Sequence, residues 1–125
     1  YTNLPGVDLN PNWGQAGFGT ADTAFDTGSG NLVLAYTNFN YQGIDFNGAQ
    51  DVSGMEFLHL DVWTDGGVTP DVRLISVGAE IPHPISNGDG SWQSIDIPIA
   101  GITEDIMAAI QLKFDGGDDM GNAIY

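Results

Sequence analysis

The sequence predicts an all-β fold, an antiparallel β-sandwich, on three observations. Glycine is 18 of 125 residues, about twice its usual share of ~7%, and with Asn, Asp and Pro it punctuates the chain at short intervals. The apolar runs alternate with a period of two, so each segment has one dry and one wet face. A helical period is nearly absent. Short strands that are apolar on one side need a second sheet to cover them, and a sandwich supplies it.

The strands follow in chain order. Residues 31–38 and 43–46 form the first two candidates, between the separators Thr27-Gly28-Ser29-Gly30 and Asn47-Gly48. Leu58, Leu60 and Val62 alternate with His59, Asp61 and Trp63, and the strand stops at Asp65-Gly66-Gly67. Residues 72–77 form another strand. Ile95 and Ile97 alternate with Ser94 and Asp96 beyond the turn Asn87-Gly88-Asp89-Gly90. One helical turn is allowed over residues 103–109, where Thr103 can cap with Glu104 and Asp105 behind it. Ile110, Leu112 and Phe114 then alternate with Gln111 and Lys113, ahead of Asp115-Gly116-Gly117, and Ala123-Ile124-Tyr125 reads as the middle of a strand. With no internal repeat or linker, residues 1–125 read as one domain.

Composition sets the classes of partner. Two basic residues, Arg73 and Lys113, stand against 17 acidic ones, for a formal net charge of −15. Binding to a phosphate backbone needs clustered Lys and Arg, and docking on an anionic membrane needs the same, so both are argued against. No run approaches the ~18 apolar residues of a membrane span. A hydrophobic content of 42% with 10% aromatics indicates a packed globule. Neutral ligands, cations and proteins remain as partners.

Motifs of catalysis are missing. Glu56, Glu80 and Glu104 are scattered, without the paired-carboxylate pattern of a glycosidase. Neither a Gly-x-Ser-x-Gly elbow nor a phosphate loop with its Lys occurs. His59 and Asp61 share a strand face, but no recognisable nucleophile lies beside them. A noncatalytic protein is therefore expected.

For metals, Asp8-x-Asn10-x-Asn12 begins like a calcium loop but has Trp13 at the sixth position and Gly19 at the twelfth, which fails the EF-hand pattern. Asp115, Asp118, Asp119 and Asn122 place four oxygen ligands within eight residues, and a structural Ca²⁺ is the candidate cofactor. His59 and His83 lack the spaced partners that transition metals need. His83, between Pro82 and Pro84, reads as extended loop.

Aromatics carry a more specific signal. A sugar ring offers an apolar C–H face and a rim of hydroxyls, so sugar sites combine an exposed Trp or Tyr with planar polar side chains. Trp63 ends a strand with Asp61 and His59 on its own face. Trp13 sits in Asn12-Trp13-Gly14-Gln15, read as a loop, and Trp92 begins a strand. Trp63 and Trp13 are the candidate stacking surfaces. His59, Asp61, Arg73, Gln111 and Lys113 are the candidate hydrogen-bonding residues from wet strand faces. Arg73 is singled out by scarcity, as a side chain to be held by Asp or turned to a ligand.

Residues 1–15 (YTNLPGVDLNPNWGQ), 36–46 (YTNFNYQGIDF), 51–64 (DVSGMEFLHLDVWT) and 113–117 (KFDGG) resemble carbohydrate-binding modules of the galactose-binding, jelly-roll kind. The resemblance is to modules appended to secreted glycan-degrading enzymes of marine Bacteroidetes, often enzymes of β-1,3-glucan (laminarin) breakdown. It implies a jelly roll, binding to a neutral polysaccharide, a covalently linked catalytic or surface domain, and a secreted or cell-surface bacterial location. Such relatives usually have a further strand ahead of the Tyr1 segment and a closing strand after Ile124-Tyr125, and those terminal segments often contribute to their calcium site. A sandwich short of a strand also allows a second reading, a subunit of an extracellular filament completed by a neighbour's strand and self-assembling through open strand edges.

Overall fold

The computed structural model describes residues 10–14, 20–65, 69–85, 88–117 and 122–124. Among these residues there are ten strands and no α-helix. They are β1 (Asn10–Gly14), β2 (Thr20–Asp26), β3 (Leu32–Phe39), β4 (Tyr41–Gln50), β5 (Phe57–Trp63), β6 (Asp71–Ile75), β7 (His83–Pro84), β8 (Trp92–Pro98), β9 (Ala109–Asp115) and β10 (Asn122–Ile124).

Every described pairing is antiparallel. One layer is a five-stranded sheet in the order β1-β4-β9-β6-β7. The other consists of a three-stranded sheet, β10-β3-β2, and a two-stranded sheet, β5-β8, which meet at a single bridge between Thr64 and Ile124. The second layer therefore runs β2-β3-β10-β5-β8, with β10 the narrow joint between its two halves.

Alternation explains the core. Val72 and Leu74 of β6 and Leu112 and Phe114 of β9 point inward from the first layer. Tyr36, Val62, Ile97 and Ile124 meet them from the second, and all belong to one buried cluster. The Tyr36 and Phe114 rings pack 5.9 Å apart across the layers. The Tyr36 hydroxyl donates to the Pro11 carbonyl at 2.6 Å, so a core ring also ties down β1.

Three sequence expectations change. Residues 10–14, including Trp13, are a strand and not a loop, because β4 supplies a pairing edge and the Gln42 amide donates to the Asn12 side-chain oxygen at 2.8 Å. His83 and Pro84 pair with Val72 and Asp71 as a two-residue edge strand. Over residues 103–109 the chain makes turns and not a helix, since Thr103 is buried with its hydroxyl on Ser76 Oγ at 2.9 Å, and the Asp105 amide binds the same oxygen. The short 3-10 turn in this region is Ile99–Gly101.

Candidate functional site

Strand register assembles the site on the outer face of the five-stranded sheet. Trp13 lies opposite Gly43, Gly43 opposite Lys113, and Lys113 opposite Arg73, one continuous row across β1, β4, β9 and β6. Tyr41, Asp115 and Asp71 form the next row, and Asp45, Gln111 and Ile75 the row on the other side. Four of the predicted site residues, Trp13, Arg73, Gln111 and Lys113, are thus brought onto one face. Trp63, His59 and Asp61 are not among them. They occupy the outer face of β5, on the opposite layer, and the single site expected from sequence divides into two surfaces.

The first surface combines an aromatic ledge with a fixed charge network. The rings of Trp13 and Tyr41 lie 5.9 Å apart, inclined at 48°, and both are half-buried. Lys113 Nζ stands 4.8 Å from the Tyr41 ring centre, within reach of a cation–π attraction. Gly43, buried between Trp13 and Lys113, must be glycine, because a Cβ there would collide with the Leu112 carbonyl oxygen of the paired strand.

Arg73 grips Asp71 with two nitrogens, Nε at 2.8 Å and Nη2 at 3.1 Å. Its Nη1 reaches Glu80 Oε2 at 2.9 Å, and Nη2 lies 3.3 Å from Asp115 Oδ2. Lys113 Nζ binds the same two acceptors, at 3.0 and 3.1 Å. Two cations thus hold three carboxylates. The Asp71 hydrogen bond pushes the Arg73 guanidinium above its ordinary value, against burial. Burial pulls the Lys113 amine down, but Glu80 and Asp115 outweigh it and raise the net value. Burial likewise pushes Glu80 and Asp115 up, yet both are held below the ordinary carboxylate range, Glu80 by Lys113 and Arg73, Asp115 by the Gly117 amide and Lys113. At neutral pH Arg73, Lys113, Glu80 and Asp115 are therefore ionised, and charge-assisted hydrogen bonds hold them in place.

Beside this network the Gln111 amide donates to Asp45 Oδ2 at 3.0 Å, while Asp45 Oδ1 accepts from the Asn47 amide at 2.7 Å. That pairing with Gln111, followed by Asn47, lowers the Asp45 pKa. Asp45, Tyr41 and Glu80 were not selected from sequence. The signal for Tyr41 and Asp45 was present in the alternation of residues 41–46, whereas Glu80 sits outside any strand and reaches the network only through the loop after β6.

The second surface is more open. His59 faces Asp96, Asp61 faces Ser94 and Trp63 faces Trp92 in the β5-β8 register. His59 Nδ1 lies 2.7 Å from Asp96 Oδ1, and Nε2 3.7 Å from Asp61 Oδ1. The hydrogen bond to Asp96 raises the His59 pKa above its ordinary value. Trp63 Nε1 donates to the Gly90 carbonyl at 2.8 Å, which fixes the indole.

Of the calcium candidates, Asp118, Asp119 and the side chain of Asn122 lie outside the described residues. Asp115 Oδ2 is already shared by two cationic side chains and Oδ1 accepts from the Gly117 amide at 3.0 Å. A carboxylate placed between a guanidinium and an ammonium is poorly suited to a divalent cation. Among the described residues no group of three or more His, Cys, Asp or Glu side chains is arranged to hold a metal. No helix among them is long and apolar enough to cross a membrane.

Comparison with known proteins finds no matching family model, no matching characterised protein and no matching solved structure.

Proposed function

We propose that the protein is a noncatalytic carbohydrate-binding module for a neutral polysaccharide, with a β-1,3-glucan such as laminarin as the first ligand to test. The observation that carries this reading is the half-exposed Trp13–Tyr41 pair beside an immobilised array of carboxylates and amide groups on the outer face of a rigid sheet. The inclined rings offer apolar surface to sugar C–H faces. Asp45, Gln111 and Glu80, held by their neighbours, offer hydroxyl partners without loss of side-chain freedom on binding. Arg73 and Lys113 act mainly as positioning residues, since their donors are occupied by carboxylates. A neutral ligand suits a surface in a molecule of net charge −15, from which polyanions are repelled. In a longer polypeptide such a module holds an attached catalytic or surface domain at high effective concentration on its polymer, and a secreted or cell-surface bacterial setting follows from the resemblance.

Titration with laminarin is expected to change tryptophan fluorescence, and Trp13→Ala to weaken binding at least about tenfold, the loss of one aromatic anchor. Trp63→Ala is expected to leave affinity within about twofold. Full affinity in Trp13→Ala together with loss in Trp63→Ala would move the site to the opposite layer. An unchanged signal at all concentrations would reject the glucan.

A further inference from the structure

Of the seven large apolar side chains exposed among the described residues, five belong to one end of the sandwich. They are Met55, Phe57, Val77, Ile106 and Met107, from 36% exposed at Ile106 to 66% at Val77 and Met107. Register defines that end. Gln50, the last residue of β4, lies level with Ala109, the first of β9. Ile75, the last of β6, lies level with Gln111, and Phe57, the first of β5, with Pro98, the last of β8. The loops over residues 51–56, 76–82 and 99–108 therefore leave the sheets together, and hydrogen bonds join them. The Val52 amide donates to the Ile106 carbonyl at 2.8 Å and the Ile99 amide to the Glu56 carbonyl at 3.1 Å. Ser76 Oγ accepts from the Thr103 hydroxyl and the Asp105 amide. The core is closed without the five exposed side chains, because Ile99 and Ile102 are buried at this end and Val52 packs against the same cluster. Apolar residues scattered singly over a surface are ordinary, whereas a group of them on joined loops marks a contact surface. Two of the five are methionines, whose flexible thioethers adapt to the shape of a partner.

We propose that this end of the sandwich is a docking surface for a protein partner that presents an apolar patch rimmed by Lys and Arg. Charge decides the occupant. The three loops carry Asp51, Glu56, Glu80, Glu104 and Asp105, and no Lys, Arg or His. Asp51 and Asp105 are fixed by the Ser53 and Met107 amides, both at 2.9 Å, and the Glu104 carboxylate lies against Gly78, where a Cβ would collide with it. Glu80 is the one member already neutralised, by Arg73 and Lys113. Those two are the only basic residues of the chain, and three carboxylates hold them on the sheet face. A second copy of the chain would bring carboxylates against carboxylates with no cation to interleave, and an anionic lipid surface is repelled for the same reason. A basic rim is attracted and sets the orientation, while burial of the five apolar side chains supplies affinity. Tyr41 of the aromatic ledge stands at the other end of β4, ten residues from Gln50 and so about 30 Å away. The docking surface is thus separate from the proposed glycan site and does not rest on that reading.

The test is an NMR titration of the isotope-labelled 125-residue protein with an acetylated, amidated peptide of Leu and Lys, about 14 residues long and patterned as a helix with one apolar face. Three controls accompany it: a Glu-for-Lys peptide, a Ser-for-Leu peptide, and vesicles of phosphatidylcholine. The Leu/Lys peptide is expected to bind at least about tenfold more tightly than either altered peptide. It should shift amides within residues 51–57, 76–80 and 99–108 and leave those of Trp13 and Tyr41 in place. Phe57→Ser combined with Met107→Ser, two exposed positions, should weaken the peptide at least about tenfold while the amide spectrum away from this end stays unchanged. No binding at about 1 mM, equal binding by either altered peptide, or shifts centred on another surface would each overturn the proposal. So would movement of the same amides on adding vesicles or on raising the protein's own concentration, which would assign the surface to lipid or to a second copy. Full affinity in the double variant would overturn it as well. The peptide, vesicle and concentration arms use the protein without substitution, so misfolding of a variant cannot produce their results.

Discussion

His59 is the clearest single-residue titration in the molecule. Its imidazole faces Asp96 at hydrogen-bond distance and Asp61 just beyond, and both favour the protonated ring. A raised folded-state pKa means that the interaction is complete below the unfolded value, about 6.5. It is lost as pH rises through the higher folded value. NMR titration of the ring should give a midpoint above 6.5, and Asp96→Asn should bring it back toward the ordinary value. A midpoint at or below 6.5 in the parent protein would show that solvent screening cancels both carboxylates, since the pair is well exposed. Individual roles were only partly legible before the fold was known. The scarcity of basic residues marked Arg73 and Lys113, and the structure gives both of them acidic partners. Sequence could not show that Glu80 bridges the two, because a loop residue's neighbours are set by tertiary packing and not by local alternation.

At the scale of elements, the strands that were legible are those whose own side chains alternate into the core. β5, β8 and β9 read directly from Leu58-Leu60-Val62, Ile95-Ile97 and Leu112-Phe114. β1 and β2 were missed for a physical reason. Asn10, Pro11 and Asn12 are turn formers by composition, and β2 turns mainly Ala21 and Phe25 away from solvent, with a register shift between Asp22 and Phe25. Such strands are edges held by the pairing their neighbours offer. Two predictions belong here. Gly43→Ala should destabilise the protein by about 1–3 kcal/mol in denaturant unfolding, because the added methyl drives into the Leu112 carbonyl and separates β4 from β9. Arg73→Met should cost about 1–3 kcal/mol at pH 7, because Asp71, Glu80 and Asp115 lose their shared guanidinium while remaining partly desolvated. The Arg73→Met loss should shrink in acid. Glu80 and Asp115 have depressed folded values, so their contribution is present above the unfolded carboxylate value, about 4, and disappears as pH falls through the lower folded values.

For the whole molecule the net charge of −15 acts on stability and on the proposed glycan binding in different ways. Like charges spread over one small domain repel, which opposes compaction. Raising salt from 0.01 to 0.15 M shortens the screening length from about 30 Å to about 8 Å. The melting temperature should therefore rise with added NaCl near neutral pH, unless the Arg73–Lys113 network dominates the electrostatic balance, in which case it should fall. The network is compact and half-covered, with Lys113 only 12% exposed, so short-range pairs inside it are screened less than the dispersed surface repulsion, and the rise is the predicted sign. Binding separates by the same argument. Laminarin is neutral, so its affinity for the Trp13–Tyr41 surface should change by less than about twofold across that salt range. Isothermal titration of laminarin at the two salt concentrations checks this. Strong salt dependence with laminarin would mean that charge, and not stacking on the aromatic ledge, governs glycan binding.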